Sequence, residues 1–298
     1  MYLLDGQFKG SIVALVTPML ADGQVDYQAL DNLIEWHIQS GTRGLVIMGT
    51  TGESSLVSVD EHISVAEAAL SIVDRRVPVV IGCGSASTAN AISLVKKVNG
   101  LKPDGFLCVT PYYVKPGQQG MIAHFSKVAD ASDAPLLLYN VPGRTSCDLD
   151  NQSIIKLAEH TNIVGVKDAT GDLGRAKSLI NELENFLFLS GDDETAFEYM
   201  ALGGHGVISV TANLAPERMS QWCQLMLDAK PDQDQARSIF NGLMPLHQNL
   251  FVEANPIPVK WALAELNKIQ AGIRLPLTQP EKSTQEKIAL AMRQSQIV

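Results

Sequence analysis

Ile12-Val13-Ala14-Leu15-Val16-Thr17-Pro18 is the stretch that decides the fold. It is apolar without alternation, as a strand buried on both faces of a parallel sheet must be. An open doubly wound sheet usually follows its first strand with a Gly-x-Gly-x-x-Gly turn. Here the run ends in Val16-Thr17-Pro18 instead, which favours a closed sheet. Seven further runs of the same kind follow at 44–49, 77–82, 106–110, 135–139, 163–167, 186–190 and 207–210. Amphipathic stretches separate them. Leu30, Leu33, Ile34 and Ile38 share one helical face, as do Ile63, Ala66, Leu70 and Val73. Ser58 and Glu61 have capping-box spacing ahead of the second of these helices. Eight β-then-α units predict an α/β fold, a (β/α)8 TIM barrel over residues 1–230. Residues 231–298 lose the strand pattern and read as a C-terminal helical domain, with Pro256 and Pro258 opening one helix.

The composition narrows the partners. The 298 residues carry 23 Lys plus Arg against 32 Asp plus Glu, a net charge of −9. No basic run is present to neutralise phosphates, so nucleic acid is not an expected partner. No apolar run reaches the roughly 18 residues of a membrane span. Residues 1–10 include Asp5 and lack a basic segment leading into an apolar one, so no secretory signal is expected. Cys83, Cys108, Cys147 and Cys223 form no Cys-x-x-Cys pair and read as reduced thiols in a cytoplasmic protein.

Barrel chemistry belongs at the C-terminal ends of the strands. Lys167 closes the sixth run, Ile163-Val164-Gly165-Val166-Lys167. Alternation puts Ile163, Gly165 and Lys167 on one face, with Gly165 leaving room below the ammonium. If that face looks into the barrel, desolvation favours a neutral amine able to attack a carbonyl carbon and form a Schiff base. The competing reading is a strand-edge lysine that reaches solvent or pairs with Asp168. Lys115 and Lys260 read as solvated. Tyr139 ends the fifth run, as a proton donor or as a packed phenol. Thr50 and Thr51 lie between Gly49 and Gly52, as two hydroxyls for a carboxylate or a relay, or simply as a turn. Arg144 follows Pro142-Gly143, as a carboxylate clamp or a surface arginine.

Metal chemistry has little support. No two of the six histidines have ligand spacing. Asp192-Asp193-Glu194 would suit a divalent cation or a helix start equally. Gly203-Gly204-His205-Gly206 precedes its strand and belongs to the opposite rim.

Together, Gly49-Thr50-Thr51-Gly52-Glu53, Thr110-Pro111-Tyr112-Tyr113, Tyr139-Asn140-Val141-Pro142-Gly143-Arg144-Thr145 and Gly165-Val166-Lys167-Asp168-Ala169-Thr170 resemble the dihydrodipicolinate synthase family. So do Leu189-Ser190-Gly191-Asp192-Asp193, residues 203–213 and Asn255-Pro256-Ile257-Pro258-Val259-Lys260-Trp261. The resemblance runs in order over nearly the whole chain.

It implies that pyruvate condenses with Lys167 and that the enamine attacks (S)-aspartate 4-semialdehyde. It also implies a proton relay of Thr50, Tyr139 and Tyr113, the last supplied by a neighbouring subunit. Thr51 would hold the pyruvate carboxylate and Arg144 that of the semialdehyde. Gly191 and Ile208 would line the pyruvate pocket. No cofactor or metal is implied, and the usual assembly is a homotetramer of two tight dimers. Related N-acetylneuraminate lyases and 2-keto-3-deoxy sugar acid aldolases share the lysine and tyrosine. Arg144 favours the synthase over them. A barrel without catalysis, such as a sugar-acid sensor, would have to keep all these groups by accident.

The chain departs from the family at the site where many members bind lysine, which here matches Ser54, Ser55, Val59, His62, Ala86, Asn90 and Tyr112. Val59 replaces a histidine of the lysine-sensitive pattern, Ala86 an asparagine and Asn90 a glutamate. Without that carboxylate an amino ligand's ammonium lacks its partner, so weak or absent lysine inhibition is expected.

Overall fold

The computed structural model of the protein describes residues 8–298. The absence of a leader expected over residues 1–10 falls mostly outside them. Eight parallel strands close into a barrel in sequence order. They are β1 (Gly10–Ala14), β2 (Gly44–Ile47), β3 (Val79–Gly82), β4 (Gly105–Val109), β5 (Leu136–Asn140), β6 (Ile163–Asp168), β7 (Leu187–Ser190) and β8 (Gly206–Ser209). Around them run α1 (Tyr27–Gln39), α2 (Val59–Val73), α3 (Thr88–Asn99), α4 (Gln118–Asp130), the one-turn α5 (Pro142–Thr145), α6 (Asn151–Ala158), α7 (Leu173–Glu182), α8 (Ala196–Ala201) and α9 (Pro216–Leu227). The TIM barrel read from the sequence is thus the fold. Three helices follow it: α10 (Gln233–Asn249), α11 (Ile257–Glu265) and α12 (Lys282–Gln294). α10 packs on α9 and α12, and α11 on α12. No described helix is long and apolar enough to cross a membrane.

Local chemistry sets the element ends. Ser58 and Glu61 form the expected capping box at α2. Asp26, Ser87, Asp150 and Asp172 cap α1, α3, α6 and α7 through side-chain oxygens. Strands stop where their amides find other partners. Beyond β1, the Val16 amide donates to the Asn213 side chain at 3.1 Å. Beyond β8, the Val210 amide donates to Asp193 at 2.9 Å. The eighth run therefore leaves the ladder one residue earlier than its hydrophobicity suggests.

Two apolar layers result. Ile12, Val46, Leu107, Leu137, Leu189 and Ile208 fill the barrel interior, and the Phe8 ring lies against Gly44 at its N-terminal end. The alternate residues pack outward against the helices. The sixth strand corrects the face expected for Ile163. Leu136 pairs with Ile163 but Leu137 pairs with Gly165, so the register slips by one residue. That bulge sends Ile163 to the helix side and leaves Gly165 and Lys167 facing inward.

A buried histidine couples this packing to pH. His37 on α1 is fully buried, with Nδ1 3.0 Å from Thr42 Oγ1 and no partner for Nε2 among the described residues. Burial first, then the charge of Lys268, lowers its pKa from 6.5 to about 3. The unfolded chain therefore protonates first as pH falls. This contribution is complete above pH 6.5 and shrinks toward pH 3. One such proton gives a slope of up to about 1.4 kcal/mol per pH unit. Denaturant titrations between pH 6.5 and pH 5 should show a shallower acid loss in His37→Asn than in the parent. Equal slopes would reject this account.

Candidate active site

Lys167 is the penultimate residue of β6, with its side chain inside the barrel, and is 6% exposed. It pairs in register with Tyr139 on β5 and Leu189 on β7. Its Nζ lies 4.3 Å from the centre of the Tyr139 ring. Asp168, the alternative partner, points outward, where its Oδ2 is 4.0 Å from Arg175 Nε. Desolvation raises the Asp168 pKa despite the hydrogen bonds from Thr170. The amine is thus shut in beside a phenol, and the strand-edge reading of Lys167 fails.

The room for this side chain comes from Gly191 rather than from Gly165. A Cβ on Gly191 would stand 2.9 Å from Lys167 Cε and 3.0 Å from its Cγ. A Cβ on Gly165 would meet Leu187 at 2.6 Å and Leu137 at 2.9 Å, so that glycine serves barrel packing. Ile208 is buried in the same interior layer.

Gly49 to Glu53 form a turn at the end of β2. Met48 and Glu53 both adopt left-handed backbone, φ 55° and 58°. Thr17 Oγ1 donates to the Gly52 carbonyl at 2.7 Å and ties this turn to the end of the first run. A Cβ on Gly52 would crowd that same hydroxyl and the Met48 backbone. The stretch is therefore both a turn and a carrier of two hydroxyls. Thr50 lines a cavity of about 270 Å³ together with Tyr139 and Arg144. Thr51 is buried and accepts a hydrogen bond from Asn255 Nδ2 at 2.9 Å. Arg144, on α5, donates from Nη2 to the Asn255 carbonyl at 3.0 Å. Tyr113 stands outside this cavity, 89% exposed, with φ 72°.

Ser54, Ser55, His62 and Tyr112 line the same cavity. Burial lowers the His62 pKa to about 4, although a contact with the Gly82 backbone opposes this. Val59, Ala86 and Asn90 do not line it. A larger depression of about 620 Å³ lies at the opposite rim, beside Gly10, Arg43 and Ser220. Of the residues singled out above, Cys223 lines it, and none of the candidate site residues does. The acidic run is engaged internally: Asp192 accepts from Thr195, Asp193 from the Val210 and Thr211 amides, and Glu194 from Gln248.

The reading of Lys260 as solvated is wrong. It is 3% exposed and paired with the buried Glu53 carboxylate, whose other oxygen accepts the Arg274 amide at 3.1 Å. Burial lowers the Lys260 pKa, and the Glu53 charge opposes that shift. Glu53, Lys260 and Asn255 lie in quoted motifs but carried no assigned role. The only local sign was a lysine in the apolar start of a helix, and its partner is 207 residues away.

The model of the dihydrodipicolinate synthetase family matches residues 7–295. The chain belongs to this family. It is 48% identical over 290 residues to the 4-hydroxy-tetrahydrodipicolinate synthase of Pseudomonas putida strain W619, covering 97% of this chain and 99% of that one. It superposes with a TM-score of 0.95 on the chloride-inhibited dihydrodipicolinate synthase of Acinetobacter baumannii complexed with pyruvate. That match has 49% identity and covers 97% and 99% of the two chains. The synthase of Cyanidioschyzon merolae with lysine bound matches with a TM-score of 0.93 and 36% identity, over 98% and 99% of the two chains.

Proposed function

We propose that this family member makes 4-hydroxy-tetrahydrodipicolinate from pyruvate and (S)-aspartate 4-semialdehyde, at the entry to the diaminopimelate route to lysine. The observation that carries the reading is the buried Lys167 amine against the Tyr139 ring. Its Nζ adds to C2 of pyruvate, and water leaves to give the iminium. Loss of a methyl proton gives the enamine, whose C3 attacks the aldehyde carbon. The semialdehyde's amine then attacks C2, closes the ring and releases Lys167.

Tyr139, Thr50 and Tyr113 move the protons. Tyr113 does so from a second copy, which its exposure supports. Thr51 holds the pyruvate carboxylate and Arg144 that of the semialdehyde. Gly191 and Ile208 shape the pyruvate pocket. Residues 1–230 form the catalytic barrel and 231–298 an appended helical domain. The enzyme works in the cytoplasm as a homotetramer, a dimer of dimers. The position of Arg144 at the cavity favours this reading over N-acetylneuraminate lyase or keto-deoxy sugar acid aldolase activity. Coupled assays of pyruvate with the semialdehyde, against cleavage of sialic acid and keto-deoxygluconate, test it. Turnover of either sugar acid in preference to the condensation would overturn it.

Lysine should inhibit weakly or not at all. The regulatory positions offer Ser54, Ser55, Tyr112 and a His62 whose basicity burial suppresses. Val59 and Ala86 bring no side-chain polar atom, and Asn90 brings no charge. An ammonium bound there without a carboxylate costs several kcal/mol. Calorimetric titration with lysine should give little heat, and complete inhibition at micromolar lysine is the contrary result.

A further inference from the structure

Asn255 lies in the segment between α10 and α11, yet it reaches the two groups read above as carboxylate anchors. Its side-chain Nδ2 donates to Thr51 Oγ1 at 2.9 Å, and its backbone carbonyl accepts from Arg144 Nη2 at 3.0 Å. It is 6% exposed, and Thr51 is 3% exposed, so water does not compete freely for either contact. One residue of the turn and one of α11 brace the junction. Glu53 follows Thr51 by two positions and pairs with Lys260, on the helix that begins two residues after Asn255.

A threonine hydroxyl has one proton to donate and two lone pairs to accept with. The amide N–H of Asn255 occupies one lone pair. The Thr51 proton then has no call on that amide and is left for another acceptor. We propose that Asn255 is a positioning residue for the keto acid: it holds Thr51 Oγ1 as an acceptor and thereby commits the Thr51 proton to the pyruvate carboxylate. This rests on the reading of Thr51 as the pyruvate anchor. Asn255 itself touches no reacting atom. Its own Oδ1 is buried without a partner among the described residues, so the side chain is held by its donor end.

The chemistry separates this role from a merely structural one. In Asn255→Asp the shape is nearly kept, but both terminal atoms become acceptors. The Thr51 proton turns toward the new carboxylate, and a negative charge stands beside the arriving one. In Asn255→Ala the hydroxyl is only released to rotate. Packing alone would make Ala the worse change, whereas positioning makes Asp the worse.

The test is borohydride trapping of the full chain at graded pyruvate, read by intact mass, with thermal midpoints measured alongside. Half-saturating pyruvate should rise roughly tenfold in Asn255→Ala and about a hundredfold or more in Asn255→Asp. Trapping at saturating pyruvate should stay complete, and KM for the semialdehyde should change little, because Arg144 uses the backbone carbonyl. The proposal falls if Ala is more damaging than Asp, or if either variant keeps the parental half-saturation. If the parent chain itself is not trapped, the Schiff-base reading fails and takes this one with it. A trapped parent with the reverse order of variants overturns only the role of Asn255.

Discussion

Replacing Lys167 by alanine is expected to remove both turnover and covalent capture of pyruvate while leaving the barrel intact. Among the described residues, Lys167 is the one whose amine lies over the Tyr139 ring, and an amine is the group that adds to a ketone to give an iminium. Removing a covalent nucleophile commonly costs about 10³- to 10⁶-fold in kcat, or about 4–8 kcal/mol of barrier. Stability should move the other way or not at all. Lys167 is buried, and its nearest charged neighbour in sequence, Asp168, faces the other side of the sheet. A buried amine carries a desolvation cost that alanine lacks, set against the apolar contacts its stem loses. The thermal midpoint should therefore stay close to the parent's. Borohydride with pyruvate should add mass to the parent at Lys167 and none to the variant. Parental turnover in Lys167→Ala would refute the mechanism, and labelling at another lysine would relocate it.

The parts of this site that the sequence made legible are those with a local signature. A charged residue inside an otherwise apolar strand marks Lys167, because every neighbour predicts burial. Hydroxyls between two glycines suggest a turn at Thr50 and Thr51, and the structure places that turn at the end of β2. The eight runs predict a closed parallel sheet because each is apolar on both faces, and no phosphate-binding turn follows the first. What stayed hidden depends on long-range geometry. The register slip between β5 and β6 reverses the face of Ile163, and periodicity of two cannot see a bulge. The space beside the lysine stem comes from Gly191 on the next strand, a contact fixed only once the barrel closes. Lys260 reads as solvated because helix starts usually are. Its burial follows from Glu53, which a left-handed backbone at φ 58° turns inward from a loop far away in sequence.

That pair gives the second large effect, on stability rather than on chemistry. Lys260→Met should destabilise the chain by about 3–5 kcal/mol, because the Glu53 carboxylate would remain buried with its main counter-charge gone. Glu53 is 2% exposed and Lys260 is 3% exposed, so neither can recover water without moving α11 off the barrel. The Arg274 amide would still donate to Glu53, at 3.1 Å, which offsets only a fraction of the loss. Arg274 cannot swing in as a replacement cation, since its guanidinium is already committed to Glu61 and to the Leu56 carbonyl. Removing both charges is a different perturbation. In Glu53→Gln with Lys260→Met no ion is left to desolvate, and such replacements are often near neutral. Denaturant unfolding of the two single variants and the double should therefore be strongly non-additive, with the double more stable than Lys260→Met alone. Additive losses would mean that the two side chains contribute through separate packing. Activity adds an independent readout. Glu53 ends the turn that carries Thr50 and Thr51, so loosening it should also raise half-saturating pyruvate in Lys260→Met. The double variant, with the turn packed again, should recover part of that affinity.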